Sequence, residues 1–206
     1  MEEMRVLFCC ATFQELKVVK EEIKNLKLKQ HLPFDFLCCG IGNYGAIFSL
    51  TNFLKEHPGK YCIVNLGVCG YRGEKVSCIQ ASVIHQIQIQ KEQIIPQNFI
   101  LAPLKHLISS EIPVKNEKEI QDFFSLQEKT LGIDMESAGI EYVAQQFQFP
   151  RIFLKVPCDK IGLETEHFDY LQALQNLKIQ IDYQKLVDHL LEFLKKNEKS
   201  DSVLMD

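Results

Sequence analysis

Residues 132–162, GIDMESAGIEYVAQQFQFPRIFLKVPCDKIG, constrain this chain more than any other stretch. Gly132–Met135 reads as the end of a strand. Ser137–Phe147 spaces Ala138, Ile140, Tyr142, Val143 and Phe147 so that they form one mostly apolar helical face. Pro150 stops that helix, and Arg151–Val156 (RIFLKV) is a run suited to a buried strand. Glu136 follows the first strand directly, and Asp159 is expected just past the second. Strand–helix–strand with an acid at each carboxyl end is the place where open α/β sheets put ligands. The plain alternative is two solvated charges at element ends, one of them at a helix start.

The rest of the chain repeats this alternation. Arg5–Cys10 (RVLFCC) is apolar throughout, as in a strand covered on both faces. A helix is expected over Gln14–Leu26, with Thr12 as N-cap and Glu15 three residues later completing a capping box. That accounts for Glu15 blandly. The sharper reading, a catalytic carboxylate at the start of a helix beyond a strand's carboxyl end, competes for the same oxygens. Phe34–Cys39 is the next strand, followed by the tight turn Gly40–Ile41–Gly42–Asn43 and a helix over Tyr44–Lys55. Tyr61–Leu66 is a further buried strand, ending in Gly67–Val68–Cys69–Gly70, where a ligand could approach the backbone. Gln80–Ile89 alternates and, with Lys75–Ser82, suggests an antiparallel pair. Ile108–Val114 is expected as a strand, Lys115–Gln127 as a short surface helix, and Lys160–Glu166 as a loop. Phe168–Leu177 and Tyr183–Lys195 are amphipathic helices. These elements predict a three-layer α/β domain over residues 1–195 with a polar tail over 196–206.

A net charge of −4 offers no basic face for nucleic acid. No apolar stretch approaches a membrane span, and the acidic start MEEMRVLFCCA is unlike a signal peptide, so a cytoplasmic location is expected. The eight cysteines include no CxxC pair and sit in apolar runs, as buried thiols in a reducing compartment do. The six histidines are scattered, and neither a metal nor another cofactor is expected.

Four segments in order, ATFQE, CCGIGNYGA, VNLGVCG and IDMESAGIEYVAQQFQFP with the Asp of VPCDKIG, resemble the purine nucleoside phosphorylase superfamily. The resemblance is nearest to the 5'-methylthioadenosine/S-adenosylhomocysteine nucleosidases and their futalosine-pathway relatives, and it spans nearly the whole chain. It implies a nucleoside phosphorylase-like α/β/α sandwich with a mixed central sheet, usually as a homodimer. It implies a small-molecule nucleoside substrate. Residue by residue, it makes Glu15 the acid that activates water and Asp159 the acid that protonates the purine at N7. Met135 and Glu136 become the ribose-binding pair. Ile41 and Phe168 fall near the 5' substituent, Val68 and Cys69 beside the base, and Pro113 and Val114 along the purine edge. Ile94, Ile95, Phe99, Ile100 and Leu101 are candidates for the dimer interface.

The pattern departs from the family in three places. Cys158 replaces a Ser, Lys155 an Arg, and Pro113 an aromatic residue. The connection between Ile84 and Ile108 is also short. The first loop, ATFQE, lacks an Arg, and VNLGVCG offers Asn65 and Val68 where phosphorylases hold phosphate. Phosphate needs cations or several N–H donors, whereas Glu15 suits water. Hydrolysis of 5'-modified adenine nucleosides is therefore expected, as in methionine salvage or futalosine-route menaquinone synthesis. A hypoxanthine-specific futalosine hydrolase and a non-catalytic purine-nucleoside binding module remain the alternatives.

Overall fold

The structure, a computed structural model, describes residues 4–26, 34–123, 130–162 and 168–203. In chain order the elements are β1 (Arg5–Cys10), α1 (Phe13–Asn25), β2 (Phe34–Cys38), α2 (Asn43–Glu56), β3 (Tyr61–Gly73), β4 (Ile79–Gln86), β5 (Lys91–Ile94), β6 (Leu104–Ser109), β7 (Thr130–Asp134), α3 (Ser137–Gln146), β8 (Arg151–Lys160), α4 (Tyr170–Gln180) and α5 (Tyr183–Val203). Two 3₁₀ turns, Ile87–Ile89 and Glu117–Phe123, lie between strands.

The strands form one eight-stranded mixed sheet in the order β2-β1-β3-β7-β6-β4-β5, with β8 paired to both β3 and β4. Hydrogen bonds therefore run from β3 through β7, β6, β4 and β8 back to β3, closing a ring, while β1 and β2 extend from it as a parallel wing. The long β3 makes this possible. It runs parallel to β1 and β8, then pairs antiparallel with β7 from Gly70 to Gly73.

Helices cover both faces of the sheet. Leu16, Val19 and Ile23 of α1, Leu177 of α4 and Leu186 and Leu190 of α5 pack on Val6, Phe8, Val64 and Ile152. Ala46, Leu50 and Leu54 of α2 and Ile140 and Val143 of α3 pack on Leu7, Ile63 and Phe153. Successive residues of β1 thus enter opposite cores, which is why RVLFCC carries no polar alternation. The expected three-layer α/β/α architecture with a mixed sheet is what the chain adopts.

Several local expectations need correction. β4 does not pair with Lys75–Ser82, the first part of which is loop. Its antiparallel partners are β5 and the middle of β8, and it runs parallel to β6. The strand expected over Ile108–Val114 ends at Ser109, and Pro113 is then free of sheet geometry. The helix expected over Lys115–Gln127 is the 3₁₀ segment Glu117–Phe123; residues 124–127 lie outside the described ones. α4 begins at Tyr170 rather than Phe168, capped by Asp169, whose side chain accepts from Gln172 N–H at 3.0 Å. α5 continues into the tail as far as Val203. Of the apolar residues assigned to a dimer interface, Ile95 is buried, and Phe99 and Leu101 pack on the chain's own core; only Ile94 and Ile100 stand exposed. All eight cysteines are free, as expected. Burial pushes the thiols of Cys9, Cys62 and Cys78 up to about 12, so they stay protonated.

One close approach ties the fold to the site. A Cβ on Gly139 would lie 2.3 Å from the backbone oxygen of Asn43, so only glycine lets the first turns of α3 and α2 meet. Asn43 Oδ1 accepts from Gly139 N–H at 2.8 Å and from Ser109 Oγ at 3.1 Å, and Ser109 Oγ accepts from Ala138 N–H at 3.2 Å. Gly139→Ala must push these turns apart. It is expected to cost about 1–3 kcal/mol, the usual range for forced overpacking, seen as a lower urea midpoint. An unchanged midpoint contradicts the close-approach argument.

Candidate active site

The carboxyl ends of β1, β2 and β8, the Val68–Gly70 stretch of β3 and the end of β7 surround a cavity of about 300 Å³. The ten residues assigned from sequence to catalysis or substrate binding line it: Glu15, Asp159, Glu136, Met135, Ile41, Val68, Cys69, Pro113, Val114 and Phe168. Residues from seven separate segments of the chain therefore converge on one space of ligand size.

Glu15 is only 2% exposed and is held by three donors. Its Oε2 accepts from Thr12 N–H and from Thr12 Oγ1, each at 3.0 Å, and its Oε1 accepts from Val68 N–H at 3.0 Å. Thr12 Oγ1 in return accepts from Glu15 N–H at 3.2 Å, completing the capping box. The structural and the sharp readings of Glu15 thus divide the carboxylate between them. Oε2 serves the cap, and Oε1 keeps capacity for one more donor. Val68 contributes its N–H to Glu15 rather than to a ligand. A Cβ on Gly67 would sit 3.0 Å from Glu15 Oε1 and 3.6 Å from Lys155 Nζ, so a glycine here admits both groups against the strand.

Glu136 is the N-cap residue of α3, yet its side chain makes no cap bond. Instead Oε1 accepts from Gly42 N–H at 3.3 Å, while Glu111 Oε2 accepts from Tyr44 N–H at 3.2 Å. Two carboxylates thereby meet the positive end of α2.

Asp159 was expected beyond β8 but lies inside it. The β3–β8 register runs Cys69↔Pro157 and then Gly70↔Asp159, leaving Cys158 as the extra residue of a bulge. A bulge re-aims the side chains that follow it, and Asp159 lines the cavity. Cys158, noted as a weak partner for Asp159, turns its Sγ–H to Val156 O at 3.3 Å.

The sequence reading missed the charge arrangement beneath the cavity. Lys155, noted only as a departure, is 2% exposed, and its Nζ lies 2.8 Å from Asp134 Oδ2. Asp134 is also buried and accepts from Ser137 N–H at 3.1 Å and from Ser137 Oγ. Burial acts to lower the Lys155 ammonium, but Asp134, Glu136 and Glu15 outweigh it and hold the group charged, above the ordinary lysine range. A lysine inside RIFLKV needs a buried partner, and that was the available signal. Tyr170 was also missed; it lines the cavity with its hydroxyl 2.5 Å from Thr12 Oγ1.

Asn65, placed by the resemblance where phosphorylases hold phosphate, is fully buried and does not line the cavity. Its Nδ2 donates to Cys9 O at 3.0 Å, and its Oδ1 lies 3.1 Å from Ser137 Oγ. Among the described residues lining the cavity there is no Arg or Lys. Two of the scattered histidines do meet, His85 Nε2 and His106 Nδ1 at 2.9 Å. No group of three or more metal-ligating side chains occurs among the described residues.

Glu136 carries a pH dependence. Burial, then the Asp134 carboxylate and more weakly Glu15, push its carboxyl up to about 7, against Lys155 and the Gly42 N–H. The folded protein holds this proton more tightly than the unfolded chain, whose carboxyl titrates near 4.5. The resulting stabilisation is full below pH 4.5 and is lost as pH rises through about 7. Unfolding free energy should therefore fall across that window, and Glu136→Gln should flatten the fall. An identical slope in the variant assigns the proton elsewhere.

No protein-family model and no curated protein matches this chain. Solved structures do. The apo 5'-methylthioadenosine nucleosidase of Arabidopsis thaliana aligns with a TM-score of 0.74 at 14% identity, over 94% of this chain and 97% of that one. The 5'-methylthioadenosine/S-adenosylhomocysteine nucleosidase of Neisseria meningitidis, in complex with methylthio-immucillin-A, gives 0.70 at 15%, over 94% and 99%. A futalosine hydrolase mutant of Helicobacter pylori gives 0.72 at 13%, over 90% and 99%. At these identities the likeness is one of fold: along nearly its whole length, the chain has the nucleoside phosphorylase-like architecture of these nucleosidases and of futalosine hydrolase.

Proposed function

We propose that this chain is a purine nucleosidase that hydrolyses the N-glycosidic bond of 5'-modified adenine nucleosides and releases adenine. The reading rests on one observation: Glu15, Glu136 and Asp159 converge on a single cavity of about 300 Å³ whose described lining holds no cation. Each acid has a distinct environment. Glu15 is fixed by three donors with capacity left on Oε1, as a base that orients water must be. Glu136 faces the cavity from the start of α3, where it takes the ribose hydroxyls. Asp159 protonates N7 of the leaving purine. The reaction passes through a transition state with oxocarbenium character, and the carboxylates beside it stabilise the developing positive charge. Water attacks C1', its proton passes to Glu15, and the base leaves with the proton from Asp159.

Water is favoured over phosphate as nucleophile. A phosphate dianion in this cavity would meet the Glu15 carboxylate, and the nearest buried ammonium, Lys155, is committed to Asp134. The 5' substituent belongs at the open end, between Ile41 and Phe168, which are 62% and 41% exposed. Apolar side chains there suit a thioether or a carbon substituent better than a phosphate ester. Such nucleosides include methylthioadenosine, S-adenosylhomocysteine and aminodeoxyfutalosine. The chain pairs with a second copy through Ile41, Tyr44, Phe48 and Ile112, large apolar residues left exposed on α2 and the adjoining loops.

The test is adenine release from these three nucleosides by the unchanged protein, Glu15→Gln and Asp159→Asn, with sedimentation giving the mass of each. The account expects release by a dimer, and a loss of about 100-fold or more in each variant at unchanged circular dichroism. Near-normal turnover in one variant removes that residue from its role. No release from any nucleoside by the unchanged protein overturns the reading.

A further inference from the structure

Tyr170, the first residue of α4, has no part in the chemistry assigned above, yet it lines the same cavity. Its hydroxyl lies 2.5 Å from Thr12 Oγ1. Thr12 Oγ1 already makes two other bonds. It donates its single proton to Glu15 Oε2 at 3.0 Å, and it accepts from Glu15 N–H at 3.2 Å. A hydroxyl has one donor and two acceptor positions. With its proton committed to a carboxylate and one lone pair to an amide, the remaining position of Thr12 Oγ1 can only accept. Tyr170 must therefore be the donor in the short contact.

We propose that Tyr170 is a positioning residue for Glu15, its hydroxyl saturating Thr12 Oγ1 so that the Thr12 proton is locked onto Glu15 Oε2 and Oε1 alone remains open to water. The inference deepens the nucleosidase reading and rests on it. The chain Tyr170 to Thr12 to Glu15 spans two helices that the sequence separates by 158 residues between Thr12 and Tyr170. It makes the geometry of the base depend on how α4 is seated. In its absence the third position of Thr12 Oγ1 falls to cavity water, which competes for the site where the attacking water must be ordered. The ring of Tyr170 has a separate task. It stands 6.0 Å from the Phe168 ring at 54°, as part of the cavity wall, and a phenylalanine would preserve that contact.

Tyr170→Phe therefore isolates the hydroxyl. In adenine release from methylthioadenosine it is expected to lower kcat about 5–10-fold, the value of one neutral hydrogen bond, with KM changed less than about twofold because the apolar wall is intact. Thr12→Val cuts the same chain nearer the base, so adding Tyr170→Phe to it should cost nothing more. An unchanged kcat in Tyr170→Phe, or losses that multiply in the double variant, overturns the proposal. A second readout needs no turnover. Burial raises the Tyr170 phenol above its ordinary range, and the Glu15 charge adds to it. The carbon-13 titration midpoint of Tyr170 should drop in Thr12→Val, because the phenol loses the oxygen it donates to. If the unchanged protein releases no adenine, the nucleosidase reading fails, and this titration alone decides the linkage: a midpoint that does not move overturns it.

Discussion

The ion pair between Lys155 and Asp134 is the interaction on which the site depends. Asp134, Glu136 and Glu15 all lie buried around the end of β7 and the middle of β3. Three carboxylates in low dielectric would repel one another and neutralise by taking up protons. Lys155, reaching from β8 with its ammonium 2.8 Å from Asp134, supplies the compensating charge from below the cavity without entering it. The pair is no strong contribution to stability by itself, because desolvating both groups offsets most of the attraction. Its effect is local: the Lys155 charge opposes the burial and the neighbouring carboxylates that raise the Glu136 carboxyl. Glu136, farther from full compensation, has its carboxyl raised, while Asp134 is locked by Lys155 and Ser137.

The same floor explains why the strands are shaped as they are. β3 pairs with β1 at Tyr61–Asn65 and with β7 at Gly70–Gly73, and β8 runs beside it from Ile63 to Tyr71, so that Gly67 and Gly70 lie against Glu15, Lys155 and Asp159. The bulge at Cys158 sets Asp159 into the cavity from within β8. On the other wall, the glycine contact between α3 and α2 brings Glu136 to the Gly42 N–H. Fold and site are in this sense the same set of close approaches.

Much of this was legible in the residues alone, for a physical reason. Strands buried on both faces are unbroken apolar runs, so β1 and the starts of β3 and β8 stood out. Helix starts and breakers gave α1, α2 and α3 to within two residues at either end. Topology places Glu136 and Asp159 near the carboxyl ends of such strands; the other residues were named from the family resemblance, and all ten line the cavity. What was not legible depended on contacts distant in sequence. The closing of the ring by β8 and β4, the extension of β3 to Gly73, and the placing of Asp159 inside a strand all arise from pairing partners that periodicity does not encode. The same holds for Lys155 with Asp134 and for Tyr170 with Thr12, each ordinary in its own segment. Ile95, Phe99 and Leu101 were candidates for the interface that the resemblance implies, because the core that takes them was invisible from sequence.

The central claim is that water, oriented by Glu15, is the nucleophile. The most direct test is phosphorus-31 NMR of a reaction with methylthioadenosine in phosphate buffer, alongside adenine release in a phosphate-free one. The account predicts equal rates in the two buffers, a free reducing sugar in equal amount to adenine, and no new phosphate ester. A sugar 1-phosphate signal, with release that ceases when phosphate is withheld, would contradict it.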